Sequence, residues 1–132
     1  MIERQFAELQ SYLRDEKGLG SDLQRLANGS HLVTVKKVPV RDGWNQSEVD
    51  ILFVAPPGYP AARPDCFWTS PPLRLRNGGL PQSANEGTPI PGDPAPRRPL
   101  TWFSWHLQAW DPNRDKLATF YSAILKRLVP AR

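Results

Sequence analysis

The sequence predicts an α+β domain in which a helix leads into an antiparallel β-meander, a long irregular segment follows, and a second helix closes the chain. Three observations predict it. Apolar residues recur at helical spacing near both ends, at Ile2, Phe6, Leu9 and Leu13 and again at Leu117, Phe120, Tyr121, Ile124 and Leu128. Between them lie β-branched runs separated by turn residues, at Leu32 to Val38 and Val49 to Val54. The stretch from Ala55 to Trp68 then carries Pro56, Pro57, Pro60 and Pro64, which forbid helix and remove backbone donors. The chain must therefore cross the surface extended before it re-enters a sheet.

The first helix runs from Ile2 to about Asp15 with one apolar stripe, and Gly18 and Gly20 end it. Leu32, Val33, Val35 and Val38 form the first strand. Arg41-Asp42-Gly43 is turn chemistry, and the second strand follows at Val49 to Val54, with Val49, Ile51 and Phe53 on the core face and Asp50 toward solvent. Tyr59 lies against the proline crossing, and a third strand spans about Asp65 to Thr69 until Pro71 and Pro72 stop regular pairing. Leu73 to Arg76 alternates and extends the sheet briefly. Residues Asn77 to Pro99 hold Gly78, Gly79, Gly87, Gly92 and six prolines, a composition that predicts a long irregular surface region. The closing helix is expected over Asp115 to Leu128, capped by Asp111 or Asn113, with Pro130 just beyond its end.

With 132 residues the chain reads as one domain, 1–132, large enough to bury a sizeable core. No apolar run approaches a membrane span and the first residues lack the apolar region of a signal peptide, so a cytoplasmic protein with no membrane association is expected. One cysteine rules out an intrachain disulfide and any multi-cysteine zinc site. The two histidines, His31 and His106, stand far apart in sequence, so neither a metal centre nor a cofactor is expected. The net charge of +4 raises the question of nucleic acid, yet the basic residues are dispersed and the densest clusters, Lys36-Lys37 and Arg97-Arg98, are only pairs. A solvated basic face fits that pattern better than a nucleic-acid surface.

Cys66, placed inside the third strand, reads as a small buried hydrophobe with nothing nearby to lower its thiol pKa. The cluster Trp102, Phe103, Trp105 and Trp110 belongs mostly to the core, since each such ring removes about 150–250 Å² from water on burial. Spare rings, with Trp44 and Trp68, offer a surface for a partner.

The strand ending in Tyr59-Pro60 and the Pro-rich lead into the next strand resemble a segment of the ubiquitin-conjugating enzyme superfamily. Downstream, Trp102-Phe103-Ser104-Trp105-His106, Trp110, Asp115 and the closing helix resemble the superfamily's prokaryotic family E, so that the resemblance covers roughly Val33 to Leu128. It implies the ubiquitin-conjugating-like fold and, as partners, a ubiquitin-like protein and an adenylating (ThiF-like) activating enzyme. In that superfamily the catalytic cysteine follows the proline-rich segment after a histidine-proline-asparagine motif and an extended loop, which here falls at Asn77 to Ala84. No cysteine stands there. By resemblance Ser83 is nearest the reactive position and Asn77 nearest the asparagine used around the oxyanion, while Arg74 to Arg76 replace the histidine and proline.

A serine can hold an acyl group as an oxyester, but its hydroxyl needs a base. His106 can supply one if the Trp102 to Trp110 segment packs beside the irregular region. The alternatives for these residues are a plain loop serine and a packing or hydrogen-bonded histidine between tryptophans. Two functions stand: an acyl-carrying transferase that uses Ser83, Asn77 and His106, and a catalytically inactive module of the conjugating fold that docks a ubiquitin-like protein or its activating enzyme without a covalent step.

Overall fold

A computed structural model describes all residues, 1–132. Helix α1 (Ile2–Tyr12) continues through a π-helical turn at Leu13–Lys17, which Gly18 ends in the left-handed region at φ 68°. Strands β1 (Ser21–Arg25), β2 (His31–Pro39), β3 (Glu48–Ala55), β4 (Phe67–Ser70), β5 (Ala84–Asn85) and β6 (Thr101–Phe103) precede helix α2 (Leu117–Arg127). The strands form one antiparallel sheet in the order β1-β2-β3-β4-β6-β5. The expected α+β architecture of two terminal helices around a meander is present.

Both helices lie on one face of the sheet. Phe6, Leu9 and Leu13 from the first helix meet Val33, Val35, Ile51 and Phe53 from the strands and Phe120 and Ile124 from α2. Each fully buried side chain of this size contributes about 1.5–3 kcal/mol, so this cluster is the main source of stability. Gln5 ties the layer to the proline crossing, because its side-chain oxygen accepts both the Tyr59 hydroxyl and, at 3.2 Å, the Leu117 N–H.

The opposite face is also covered. Leu32, Leu52 and Trp68 alternate outward from β2, β3 and β4 and pack with Leu26, Ile90 and Leu100. The Gly- and Pro-rich segment thus wraps the back of the sheet and buries Ile90 in a second core, in addition to being irregular surface.

Several boundaries differ from expectation. Strand β1 has one inward apolar residue, Leu23, on an edge, and gives almost no alternation to read. Strands β5 and β6 are two and three residues long and lie within stretches dominated by proline, glycine and aromatics. Leu73 to Arg76 makes only an isolated bridge, Leu75 to Trp44, rather than a strand. Asp50 is half-buried and accepts the Lys37 N–H at 3.0 Å, which satisfies the backbone at the bulge between Val35 and Val38. The cap of α2 is Lys116, whose N–H bonds Thr119 Oγ1 at 3.0 Å; Asp111 and Asp115 are engaged in the turn before it. Trp44 and Trp68 are buried and donate to the Leu128 and Thr88 carbonyls, so they form no free partner surface.

Candidate active site

The register of the sheet assembles a site at one end of β6. Phe67 pairs with Phe103 on one side and Ala84 pairs with Phe103 on the other. The residues just before β4, just before β5 and just after β6 must therefore meet. The Cys66 N–H donates to the Trp105 carbonyl at 2.9 Å, and the Ser104 N–H donates to the Ser83 carbonyl at 2.8 Å.

Ser104 to Leu107 follow β6 with no helix or turn, and residues two apart in such backbone can project to the same side. Ser104 and His106 do so. Ser104 Oγ lies 3.2 Å from His106 Nε2, and His106 Nδ1 is hydrogen-bonded to Asp65 Oδ1. An ionised carboxylate can only accept, so Nδ1 carries a proton, and in the neutral imidazole Nε2 then accepts from the Ser104 hydroxyl. The result is a serine, imidazole and carboxylate in the hydrogen-bonded order that a base-activated hydroxyl requires. Asp65 and His106 are each about half exposed, at 54% and 55%, and the site is open to an incoming group. A groove of about 480 Å³ adjoins His106 and is lined by Trp105, Leu107, Thr119, Ser122 and Lys126. The backbone N–H groups of His106 and Leu107 donate to no backbone acceptor.

The expected site residues separate. Ser83 sits beside Ser104 through the backbone, in the left-handed region at φ 53°, and its hydroxyl makes no hydrogen bond within the chain. His106 is hydrogen-bonded to Asp65 and Ser104. Asn77 is exposed in a tight turn where its side-chain oxygen accepts the Gly79 N–H at 2.9 Å, and no hydrogen bond links it to His106 or to either serine. Cys66 departs from its expected place inside the third strand: it precedes β4, with φ 62°. Burial pushes its thiol pKa up, the hydrogen bond to Trp105 pulls the other way, and the Asp65 charge adds to the rise. The net effect raises the thiol pKa above that of a free cysteine.

Two side chains brace the serine turn from outside the relay. Arg74 clasps Glu86 with two hydrogen bonds of 2.9 and 2.8 Å and also donates to the Gly78 carbonyl at 2.9 Å, closing the loop that carries Ser83. Arg127, only 3% exposed, lies 5.1 Å over the Phe103 ring and donates to the Gln82 carbonyl at 2.8 Å. Sequence reasoning found neither, nor Asp65. The Ser-Trp-His spacing at 104–106 was the available signal, since it places a hydroxyl and an imidazole on one side of an extended chain.

The sequence model of prokaryotic E2 family E matches residues 10–131, nearly the whole chain. The chain belongs to prokaryotic E2 family E. No curated protein and no solved structure matches it significantly. Membership in this E2 family gives the chain a conjugating-enzyme-like role in a bacterial pathway. No helix is long and apolar enough to cross a membrane.

Proposed function

We propose that this protein accepts the carboxy-terminal acyl group of a ubiquitin-like protein from an adenylating, ThiF-like activating enzyme in the cytoplasm and holds it as a serine oxyester before passing it to an amine. The supporting observation is the hydrogen-bonded chain Ser104–His106–Asp65. In the first step Ser104 Oγ attacks the activated carbonyl while its proton moves to His106 Nε2. The N–H groups of His106 and Leu107, which follow Ser104 and have no backbone acceptor, are the donors we assign to the tetrahedral oxyanion. The bond from the activated carbonyl to its leaving group then breaks, and His106 gives its proton to that group as it departs. Attack by an amine then breaks the oxyester, and the Ser104 oxygen recovers a proton through His106. Asp65 keeps the imidazole in the tautomer that accepts at Nε2.

The resemblance favours Ser83 as the acyl carrier and the hydrogen bonding favours Ser104; the two are neighbours across one backbone hydrogen bond. The experiment is incubation with the activating enzyme, nucleotide and the ubiquitin-like protein, followed by intact mass and peptide mapping. An adduct that resists thiol reductant, is cleaved by hydroxylamine, and disappears in Ser104→Ala but not Ser83→Ala is the expected result. Loss in Ser83→Ala alone moves the nucleophile to Ser83, with Asn77 as its candidate oxyanion contact. No adduct while the activating enzyme is charged supports the non-covalent docking module instead.

A further inference from the structure

We infer that Asp65, Cys66 and His106 form a binding site for a zinc ion and that its occupation silences the serine relay. The carboxylate, thiol and imidazole ligand atoms all lie within 4.8 Å of one another. Tetrahedral zinc, with bonds of about 2.0–2.3 Å, sets its ligand atoms roughly 3.3–3.7 Å apart. Closure takes shifts of about 1 Å or less by that geometry. The half-exposed Asp65 and His106 can make such shifts. Thiolate with imidazole is the donor pair that favours zinc over magnesium or calcium.

The local backbone explains how adjacent residues reach one ion. In a strand Asp65 and Cys66 would point to opposite faces. The left-handed φ of 62° at Cys66 breaks that alternation, and the Cys66 N–H to Trp105 carbonyl bond holds the pair one residue from His106. A non-glycine residue in this region is strained, which Gly or Asn would lessen. Packing does not account for the cysteine either. It is 9% exposed, yet it belongs to neither core cluster of the protein.

Zinc on Nδ1 displaces the bond to Asp65 and leaves the imidazole proton on Nε2, where it can only donate to Ser104. The base is then gone. Binding releases the thiol proton to solvent, and two anionic ligands with neutral histidine balance the ion's charge. The fourth position is open to water, as befits a reversible site.

The silencing half rests on the oxyester reading above, whereas metal binding is measured without it. Chelator-stripped, tag-free protein is titrated with Zn²⁺ by calorimetry and with Co²⁺ by near-ultraviolet absorption. The expected result is one ion per chain with a thiolate-to-cobalt charge-transfer band. Cys66→Ala and His106→Ala abolish the band and weaken Zn²⁺ binding by about tenfold or more, while His31→Ala and Ser104→Ala keep both. Absence of the band, or equal affinity in Cys66→Ala, overturns the site. For silencing, one equivalent of Zn²⁺ should lower the initial rate of adduct formation at least tenfold, reversed by chelator. Cys66→Ala, compared with its own zinc-free rate, should not respond. A one-to-one zinc complex that charges at the metal-free rate overturns the switch. No adduct in the metal-free protein sinks the carrier reading, and the cobalt band still decides the site.

Discussion

Replacing Asp65 by Asn tests the relay with little disturbance to the fold. The Asp65 side chain is about half exposed and its hydrogen bond is to His106, so stability should change by no more than about 0.5 kcal/mol. Catalysis should suffer more. When His106 takes the serine proton it becomes a cation beside the carboxylate. At about 4 Å that attraction ranges from about 1 kcal/mol in bulk water to about 4 kcal/mol near a protein surface, and the exposure of this pair puts it in the lower half of the range. The Asn amide can also donate to Nδ1, which stabilises the tautomer with its proton on Nε2 and removes the acceptor from Ser104. Together these predict a 10- to 100-fold slower approach to the acylated state, about 1.4–2.7 kcal/mol in activation free energy. The assay is single-turnover charging from a pre-loaded activating enzyme, with chelator present, read by quenched-flow gel or mass. An Asp65→Asn protein with native circular dichroism that charges at the wild-type rate would refute the relay.

Arg127→Ala removes the donor to the Gln82 carbonyl and the cation over Phe103, and should cost roughly 2–4 kcal/mol in urea unfolding as well as slowing charging, while Arg127→Met, which keeps packing, should cost less. Ile90→Ala should lose about 2–5 kcal/mol by the same measurement, because the irregular segment supplies part of the second core; a surface-like loss under about 0.5 kcal/mol would show that it does not. The hydrogen bonds from Arg74 hold the Glu86 carboxyl below the usual range, so the pair's stabilisation is present above the ordinary Glu pKa of about 4.3 and is lost as pH falls through the lowered value. The difference in Tm between wild type and Glu86→Gln should accordingly shrink below that pH, and a difference that grows on acidification would contradict the assignment.

The helices were legible because a stripe of Phe6, Leu9 and Leu13, or of Phe120 and Ile124, has no other economical explanation than one buried helical face. Strands β2 and β3 were legible for the same reason at period two. What escaped notice was short or edge structure, where pairing is specified by neighbours and not by the strand's own residues. Strand β6 exists because Phe67 and Phe103 stack 4.6 Å apart across the ladder. Asp65 escaped for a related reason. It is 41 residues from His106, and only the β4–β6 register makes them neighbours. Ser83 could be named from the family resemblance and His106 from its type, but which hydroxyl the imidazole touches depends on two residues of backbone beyond β6.

The sharpest consequence of a serine in a superfamily that carries its passenger on cysteine concerns dependence on the base. A free thiol has a pKa near 8.5 and is a few per cent thiolate at neutral pH, so it can attack without help. A hydroxyl cannot. If His106 is present to activate Ser104, then Ser104→Cys should relieve the protein of most of its need for the imidazole. A double-mutant cycle measures this. In the Ser104 protein, His106→Ala should slow charging by about 100-fold or more, within the range of general-base catalysis. In the Ser104→Cys protein the same change should cost under about tenfold, giving a coupling of at least about 1.4 kcal/mol between positions 104 and 106. The cysteine adduct should be cleaved by reductant and the serine adduct should not. Equal losses in the two backgrounds would mean that His106 acts on packing or docking, and the chain Ser104–His106–Asp65 would then be a structural hydrogen-bond network and not a catalytic one.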